Sequence, residues 1–267
     1  MTARGDATSD LGHVPASEVR DLADLIARAD RILAFTGAGI STASGIPDYR
    51  GPQGVWNTRR PVYYAEFMRS VDTRRRYWQQ KVEDHAQLAA ARPNAAHLAL
   101  VELETAGKLG MVATQNVDGL HAAAGTSAGR LVEIHGTARL VECQTCGERT
   151  DSEPHFAVFR STGEAPLCQC GGYLKSATIS FGQSLRSVDI GRAQTAAESC
   201  DLVLALGSSL VVYPAADIPL IAARHGAPYA IVNRGETDHD HHPSVTLRIE
   251  GDVSVVLPAA VRLALAG

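Results

Sequence analysis

The residue types able to do chemistry fall into five groups. In the first, Cys143 and Cys146 are separated by two residues and Cys168 and Cys170 by one, with 21 residues between the pairs. Paired thiolates at this range are the signature of a tetrahedral zinc ribbon. Four protein ligands leave the ion no open position, so its expected role is in folding and not in catalysis. Disulfides are the alternative. They are disfavoured by an odd total of five cysteines and by an N-terminus without a hydrophobic leader. The fifth cysteine, Cys200, sits in an apolar run and reads as an inert core thiol.

The other four groups each follow a short apolar run. Gly37-Ala38-Gly39-Ile40-Ser41 follows Ile32-Leu33-Ala34-Phe35 and leads on to Pro47-Asp48-Tyr49-Arg50. Glycines at a strand-to-helix turn let backbone amides approach a pyrophosphate. A bland glycine turn has the same composition, but the acid, aromatic and guanidinium beside this one suit a segment that closes over a dinucleotide. Gln115-Asn116-Val117-Asp118 offers amides and a carboxylate matched to a ribose and a carboxamide, and His121 beyond it reads as structural or capping. His135-Gly136 places an imidazole, the commonest general base, at the end of another run. Gly207-Ser208-Ser209 and Asn233-Arg234-Gly235 complete a set of loops expected on one sheet edge.

Positioning these loops takes strands, expected at 32–35, 111–114, 131–134, 202–206 and 229–232. Helical patterns at 95–106, 190–198 and 218–224 separate most of them. The alternation predicts an α/β fold with a parallel sheet covered on both faces. A further helix is expected from residue 17, with Ser17 as its N-cap, after a polar, mobile tail over 1–15. Two stretches break the alternation. Residues 52–92 carry Arg59, Arg60, Arg69, Arg74, Arg75 and Arg76 among Trp56, Tyr63, Tyr64, Phe67, Tyr77 and Trp78, and 141–174 carry the clustered cysteines. Both read as insertions, the arginines as a solvated helical face. Asp238-His239-Asp240-His241-His242 reads as an exposed polar loop.

Composition narrows the classes. A chain of 267 residues, 45% hydrophobic, can bury a sizeable core. Its formal charge of -4 argues against a protein that coats nucleic acid or binds membranes through basic clusters. No apolar run approaches the ~20 residues of a membrane span, so a cytoplasmic protein is expected.

Read together, GAGIS with SGIPDYRG, TQNVDGLH, HG, the paired cysteines with CGG, FG, GSSL with YPA, VN and a late GD make the chain resemble the sirtuins, from about Leu22 to Leu263. The match is closest to the bacterial and mitochondrial-type class. The resemblance implies NAD-dependent removal of acyl groups, acetyl foremost, from protein lysines, with one structural zinc ion. It implies a Rossmann-like domain over 16–51, 95–140 and 175–267, and a smaller inserted domain made of a helical module, 52–94, and a zinc-binding module, 141–174. Gly37, Ala38, Gly39, Ser41, Asp48 and Arg50 would then line the NAD site, with Tyr49 over the nicotinamide end. Gln115 and Asn116 would contact ribose, and Val117 and Asp118 would hold the carboxamide. Gly207, Ser208 and Ser209 would meet the phosphate and adenosine side, and Asn233, Arg234, Gly235 and Val253 would border the adenosine. Ser180, Phe181 and Gly182 on one side and Val211 and Tyr213 on the other would sandwich the acylated peptide. His135 would be the base, acting with Asn116 and Asp118, and O-acyl-ADP-ribose would be a product.

The chain departs from the family pattern in places. Its second cysteine knuckle is one residue short, and Ser180 and Gln183 stand where many members carry an apolar residue and an acid. Members that remove succinyl-type groups use a Tyr-x-x-Arg pair, and here Tyr77 is followed by Gln80 in the arginine's place. Uncharged acyl groups are therefore expected. Protein mono-ADP-ribosyl transfer on the same fold is the alternative. A non-catalytic NAD- or peptide-binding module is disfavoured by the set Asn116, Asp118 and His135. A nicotinamide-dependent oxidoreductase is disfavoured by Thr42 at the third glycine position and the missing ribose acid.

Overall fold

The computed structural model describes residues 14–51 and 54–266. In chain order the elements are α1 (Ala16–Arg28), β1 (Ile32–Thr36), α2 (Tyr64–Arg69), α3 (Val71–Ala90), α4 (Ala95–Thr105), β2 (Leu109–Thr114), α5 (Leu120–Ala124) and β3 (Leu131–Glu133). Then follow β4 (Gly136–Cys143), β5 (Arg149–Asp151), α6 (Ser152–Thr162), β6 (Leu174–Thr178), α7 (Ser187–Ser199), β7 (Leu202–Leu206), α8 (Asp217–Arg224), β8 (Tyr229–Asn233), β9 (Leu247–Glu250) and α9 (Val253–Leu265). The tail expected over 1–15 lies, up to residue 13, outside the described residues. Val14 packs on the core, and Pro15 rather than Ser17 precedes the first helical residue, its carbonyl accepting from Glu18 and Val19. Ser17 lies inside the first turn and caps nothing.

Six parallel strands form one sheet in the order β3-β2-β1-β7-β8-β9. Side chains alternate faces along a strand. Ile32 and Ala34 point with Leu202 and Leu204 into a core shared with α1, α4 and α9, while Leu33, Phe35, Val203 and Ala205 face α7 and α8. Burial on both faces is why the inner strands read as unbroken apolar runs. The order reverses between β1 and β7, which opens a crevice at the strands' C-terminal ends. β9 was not expected from the sequence. It is an edge strand whose Arg248 pairs with Asp240 at 2.7 Å and with Glu250 at 3.0 Å, so it carries no apolar run to find.

β5, β4 and β6 make a separate antiparallel sheet, which takes in residues 136–143 and 174–178. With α2, α3 and α6 it encloses a second core of Val62, Phe67, Tyr77, Trp78, Val141, Phe156, Phe159 and Leu174. The helix α6 between the cysteine pairs was not foreseen; Asp151 caps its start and left-handed Gly163 ends it. One member of the expected solvated arginine face is in fact internal. Arg74 is buried, donates to the Phe67 carbonyl at 2.9 Å and stacks its guanidinium 3.7 Å from the Tyr173 ring centre. Trp78 donates to the Leu174 carbonyl at 3.1 Å. These two contacts fasten the helical insertion to the cysteine-bearing one.

Candidate active site

The loops after β1, β2, β3, β7, β8 and β9 converge on one cleft of about 1270 Å3. Gly37, Ala38, Gly39, Asp48, Tyr49, Arg50, Gln115, Asn116, Val117, His135, Gly207, Ser208, Ser209, Asn233, Arg234, Gly235 and Val253 line it, as do Ser180, Phe181, Gly182 and Tyr213. Ser41, Asp118 and Val211 do not; Val212 takes the wall position expected of Val211.

The floor of the cleft is where β1 meets β7. The glycine turn runs into a 3-10 helix over Ala38–Ser44, and the Gly39 amide donates to the Gly207 carbonyl at 2.8 Å. A side chain at Gly207 would require φ +63 and would put its Cβ 2.3 Å from the Ile40 nitrogen. Glycine there is what lets the two loops touch.

Ser41 and Asp118 act from behind the wall. The Asn116 side-chain amide donates to the Gly37 carbonyl at 3.0 Å and to Ser41 Oγ at 3.1 Å. Ser41 Oγ in turn donates to Asp118 Oδ2 at 2.7 Å, and Asp118 Oδ1 accepts from the Leu120 amide at 2.8 Å. This chain of bonds locks the glycine turn to the loop after β2. His121 is also internal: its Nε2 lies 2.9 Å from Thr36 Oγ1, and burial drives its pKa down to about 3. A histidine held neutral between strands is structural, as expected.

His135 follows β3. Its Nδ1 lies 3.1 Å from the Gln115 carbonyl, which can only accept, so Nδ1 carries the proton. Nε2 is then the basic nitrogen, and among the described residues nothing bonds to it. Burial lowers the His135 pKa, with the Gln115 carbonyl opposing it. The imidazole is therefore neutral near pH 7 and can accept a proton.

A ladder of rings crosses the mouth. Tyr49 and Trp56 have centroids 5.0 Å apart, Trp56 and Phe181 5.3 Å, and the Arg50 guanidinium sits 4.2 Å from the Trp56 centroid. At the other lip, His239 is 2% exposed and not in an open loop. Its Nδ1 lies 2.9 Å from the Tyr229 hydroxyl and its Nε2 3.2 Å from that of Tyr213. The histidine is thus a strut beneath the segment that carries Tyr213.

The four cysteine sulfurs lie within 4.8 Å of one another, with Cys143 and Cys170 at 3.6 Å and Cys146 and Cys168 at 3.8 Å. Zinc–sulfur bonds of about 2.3 Å in a tetrahedron set sulfurs about 3.8 Å apart, so the cluster fits zinc; the spacing is far too long for disulfides. The Cys146 and Thr145 amides donate to the Cys143 sulfur, and they hold its pKa down to about 6, a thiolate suited to a metal. A Cβ on Gly172 would fall 2.6 Å from that sulfur, so glycine there makes room for the shortened knuckle.

The Sir2 family model matches residues 37–214, which span both glycine turns, the His135 loop and the four clustered cysteines. The chain belongs to the Sir2 family. It is 42% identical over 234 residues to an NAD-dependent protein deacetylase of Rhodopseudomonas palustris, covering 87% of this chain and 92% of that one. Among solved structures it resembles a Sir2 enzyme at TM-score 0.83 and 37% identity, covering 94% of this chain and 98% of the other. It also resembles a Sir2 complex with a deacetylated p53 peptide and 3'-O-acetyl ADP-ribose, at TM-score 0.83, 32% identity and coverage of 92% and 98%.

Some cleft residues of this Sir2 chain were not among those expected. Trp56, Arg59, Val62, Lys81 and Asp84 line it from the helical insertion, beside Tyr77 and Gln80, which the comparison with the Tyr-x-x-Arg pair had already singled out. A signal for Tyr77, Lys81 and Asp84 does exist in the sequence, since spacings of three and four share a helix face. Which face meets the cleft is set by the second core, and no local pattern reveals that.

Proposed function

We propose that this Sir2 chain removes acyl groups, acetyl among them, from protein lysines with consumption of NAD, in the cytoplasm. The observation that carries the proposal is His135, held through Nδ1 in the lining of a cleft large enough for a dinucleotide and a lysine chain together. The sheet side, 16–51, 95–140 and 175–267, holds NAD, and the insertions at 52–94 and 141–174 supply the far wall. Gly37, Gly39, Ser208 and Ser209 fit a pyrophosphate beside a short helix, with Arg50 and Arg234 as cations nearby. When bound, NAD would supply a glycosidic carbon able to accept the acyl oxygen, with nicotinamide as the leaving group.

The chain's own part is to hold and to move a proton. Asn116, fixed from behind through Ser41 and Asp118, orients the ribose and carboxamide end, and proximity of this kind is a large share of the acceleration. His135 Nε2 would accept the proton of a ribose hydroxyl of bound NAD. Phe181 and Tyr213 border the path of the lysine. Four thiolates hold zinc with no vacant position, so the ion serves folding.

Mass spectrometry of an acetyl-lysine peptide with and without NAD tests this. NAD-dependent loss of the acetyl group, with equimolar nicotinamide and O-acetyl-ADP-ribose, is expected. ADP-ribose attached to protein, with every acyl group retained, would replace this reading by the transferase.

A further inference from the structure

The loop between β8 and β9 contains a buried imidazole that the reaction above does not use. Residues 237–240 of this loop are fastened without that ring. Thr237 Oγ1 donates to Asp240 Oδ1 at 2.6 Å and the Thr237 amide to Asp240 Oδ2 at 3.0 Å, while Arg248 of β9 holds the same carboxylate at 2.7 Å. The His239 amide donates in turn to Thr237 Oγ1 at 3.3 Å. The backbone on either side of His239 is therefore set by other groups, and its side chain serves a different purpose. It joins two hydroxyls, that of Tyr229 at 2.9 Å and that of Tyr213 at 3.2 Å. A polar ring is costly to bury unless its nitrogens are bonded, and here both are. Tyr229 stands on β8 with no exposed surface, so one end of this brace is anchored in the core.

The other end is on the cleft. Tyr213 lines it and is 51% exposed. The segment leading to Tyr213 is not relaxed, because Leu210 is held at φ 58, a left-handed conformation that a residue with a side chain keeps only where its surroundings impose it. The His239 loop is part of what imposes it: the Asp238 amide donates to the Ser209 carbonyl at 3.0 Å. An exposed ring ordinarily exchanges rotamers within nanoseconds. Among the described residues only His239 bonds the Tyr213 hydroxyl, so this contact is what fixes the ring before a peptide arrives. A group ordered in advance loses less freedom on binding.

We propose that His239 is a positioning residue for the acylated peptide, acting by holding Tyr213 at the lip of the cleft. The inference rests on the deacylase reading and adds a residue to its peptide side. The test is steady-state kinetics with an acetyl-lysine peptide and NAD. His239→Leu is expected to raise the peptide KM by about 5- to 10-fold, the worth of one hydrogen bond, with kcat and the KM for NAD little changed. His239→Gln, whose amide can donate to one hydroxyl and accept from the other, should restore most of the loss. His239→Leu also strands the buried Tyr229 hydroxyl and should lower the melting temperature. Adding Tyr229→Phe removes that orphan, so stability should return while the peptide KM stays high. Tyr213→Phe should raise the KM as His239→Leu does, and the two together no further. A KM that recovers along with stability overturns the inference, as do additive effects at the two positions. So does a KM that Tyr213→Phe leaves unchanged, and that exposed replacement needs no repacking to fold. With the wild-type protein active, any of these results defeats this inference alone. No turnover by the wild-type protein defeats the deacylase reading with it.

Discussion

Replacing His135 with alanine is expected to lower kcat by about 10²- to 10⁴-fold, the range for removing a general base. The fold should survive the change. His135 is partly enclosed and makes one side-chain hydrogen bond, to the Gln115 carbonyl, worth about 1 kcal/mol, so the melting temperature should move by only a few degrees. Binding should change less than turnover, because the side chain contributes a proton acceptor and not an anchor. The pH profile supplies an independent check. The base must be neutral, and burial lowers the His135 pKa, so activity should persist below the usual imidazole value of about 6.5 before falling. The acid limb should be absent from whatever activity His135→Ala retains. A folded variant with near-normal kcat would remove His135 from the mechanism.

The second large effect concerns the cysteine cluster. The protein is expected to hold about one zinc per chain, and Cys170→Ser or prolonged chelation should release it. Three sulfurs without an ion cannot hold the knuckles that set Cys143 and Cys170 3.6 Å apart. A loss of about 3 kcal/mol or more is expected, which lowers the melting temperature by about 10 °C. Activity should fall as well, although no thiol touches the cleft. Arg74 and Trp78 tie the cysteine-bearing insertion to the helical one, and the helical one supplies the far wall. Metal analysis alongside differential scanning calorimetry decides the matter. A protein that binds no zinc and melts unchanged after Cys170→Ser would show the cluster to be dispensable.

The legible parts of this chain are those whose physics is local. Strands buried on both faces must be apolar throughout, so β1, β7 and β8 stand out from the letters. Glycine turns beside them are readable because close backbone approach, as at Gly207, admits no other residue. Four thiols with knuckle spacing announce a metal for the same reason. What escaped depended on partners far apart in the chain. Arg74 looked solvated until Tyr173 covered it, and His239 looked exposed until two tyrosine hydroxyls closed on its ring. Ser41 and Asp118 were expected on the wall of the cleft, yet they bind each other behind it, 77 positions apart. β9 alternates charged and apolar residues at a sheet edge, and α3 has no clear apolar stripe, so neither gave a pattern of its own.

The chain holds two tryptophans, and the fold gives them separate duties. Trp56 stands in the mouth of the cleft under a guanidinium and between two rings, while Trp78 is sealed in the second core against Phe156 and Phe159. One indole is therefore placed to change its emission when the cleft fills, and the other when the inserted modules come apart. Two single replacements, Trp56→Phe and Trp78→Phe, would divide the signal. The protein would then report occupancy and integrity by its own light, with no label attached.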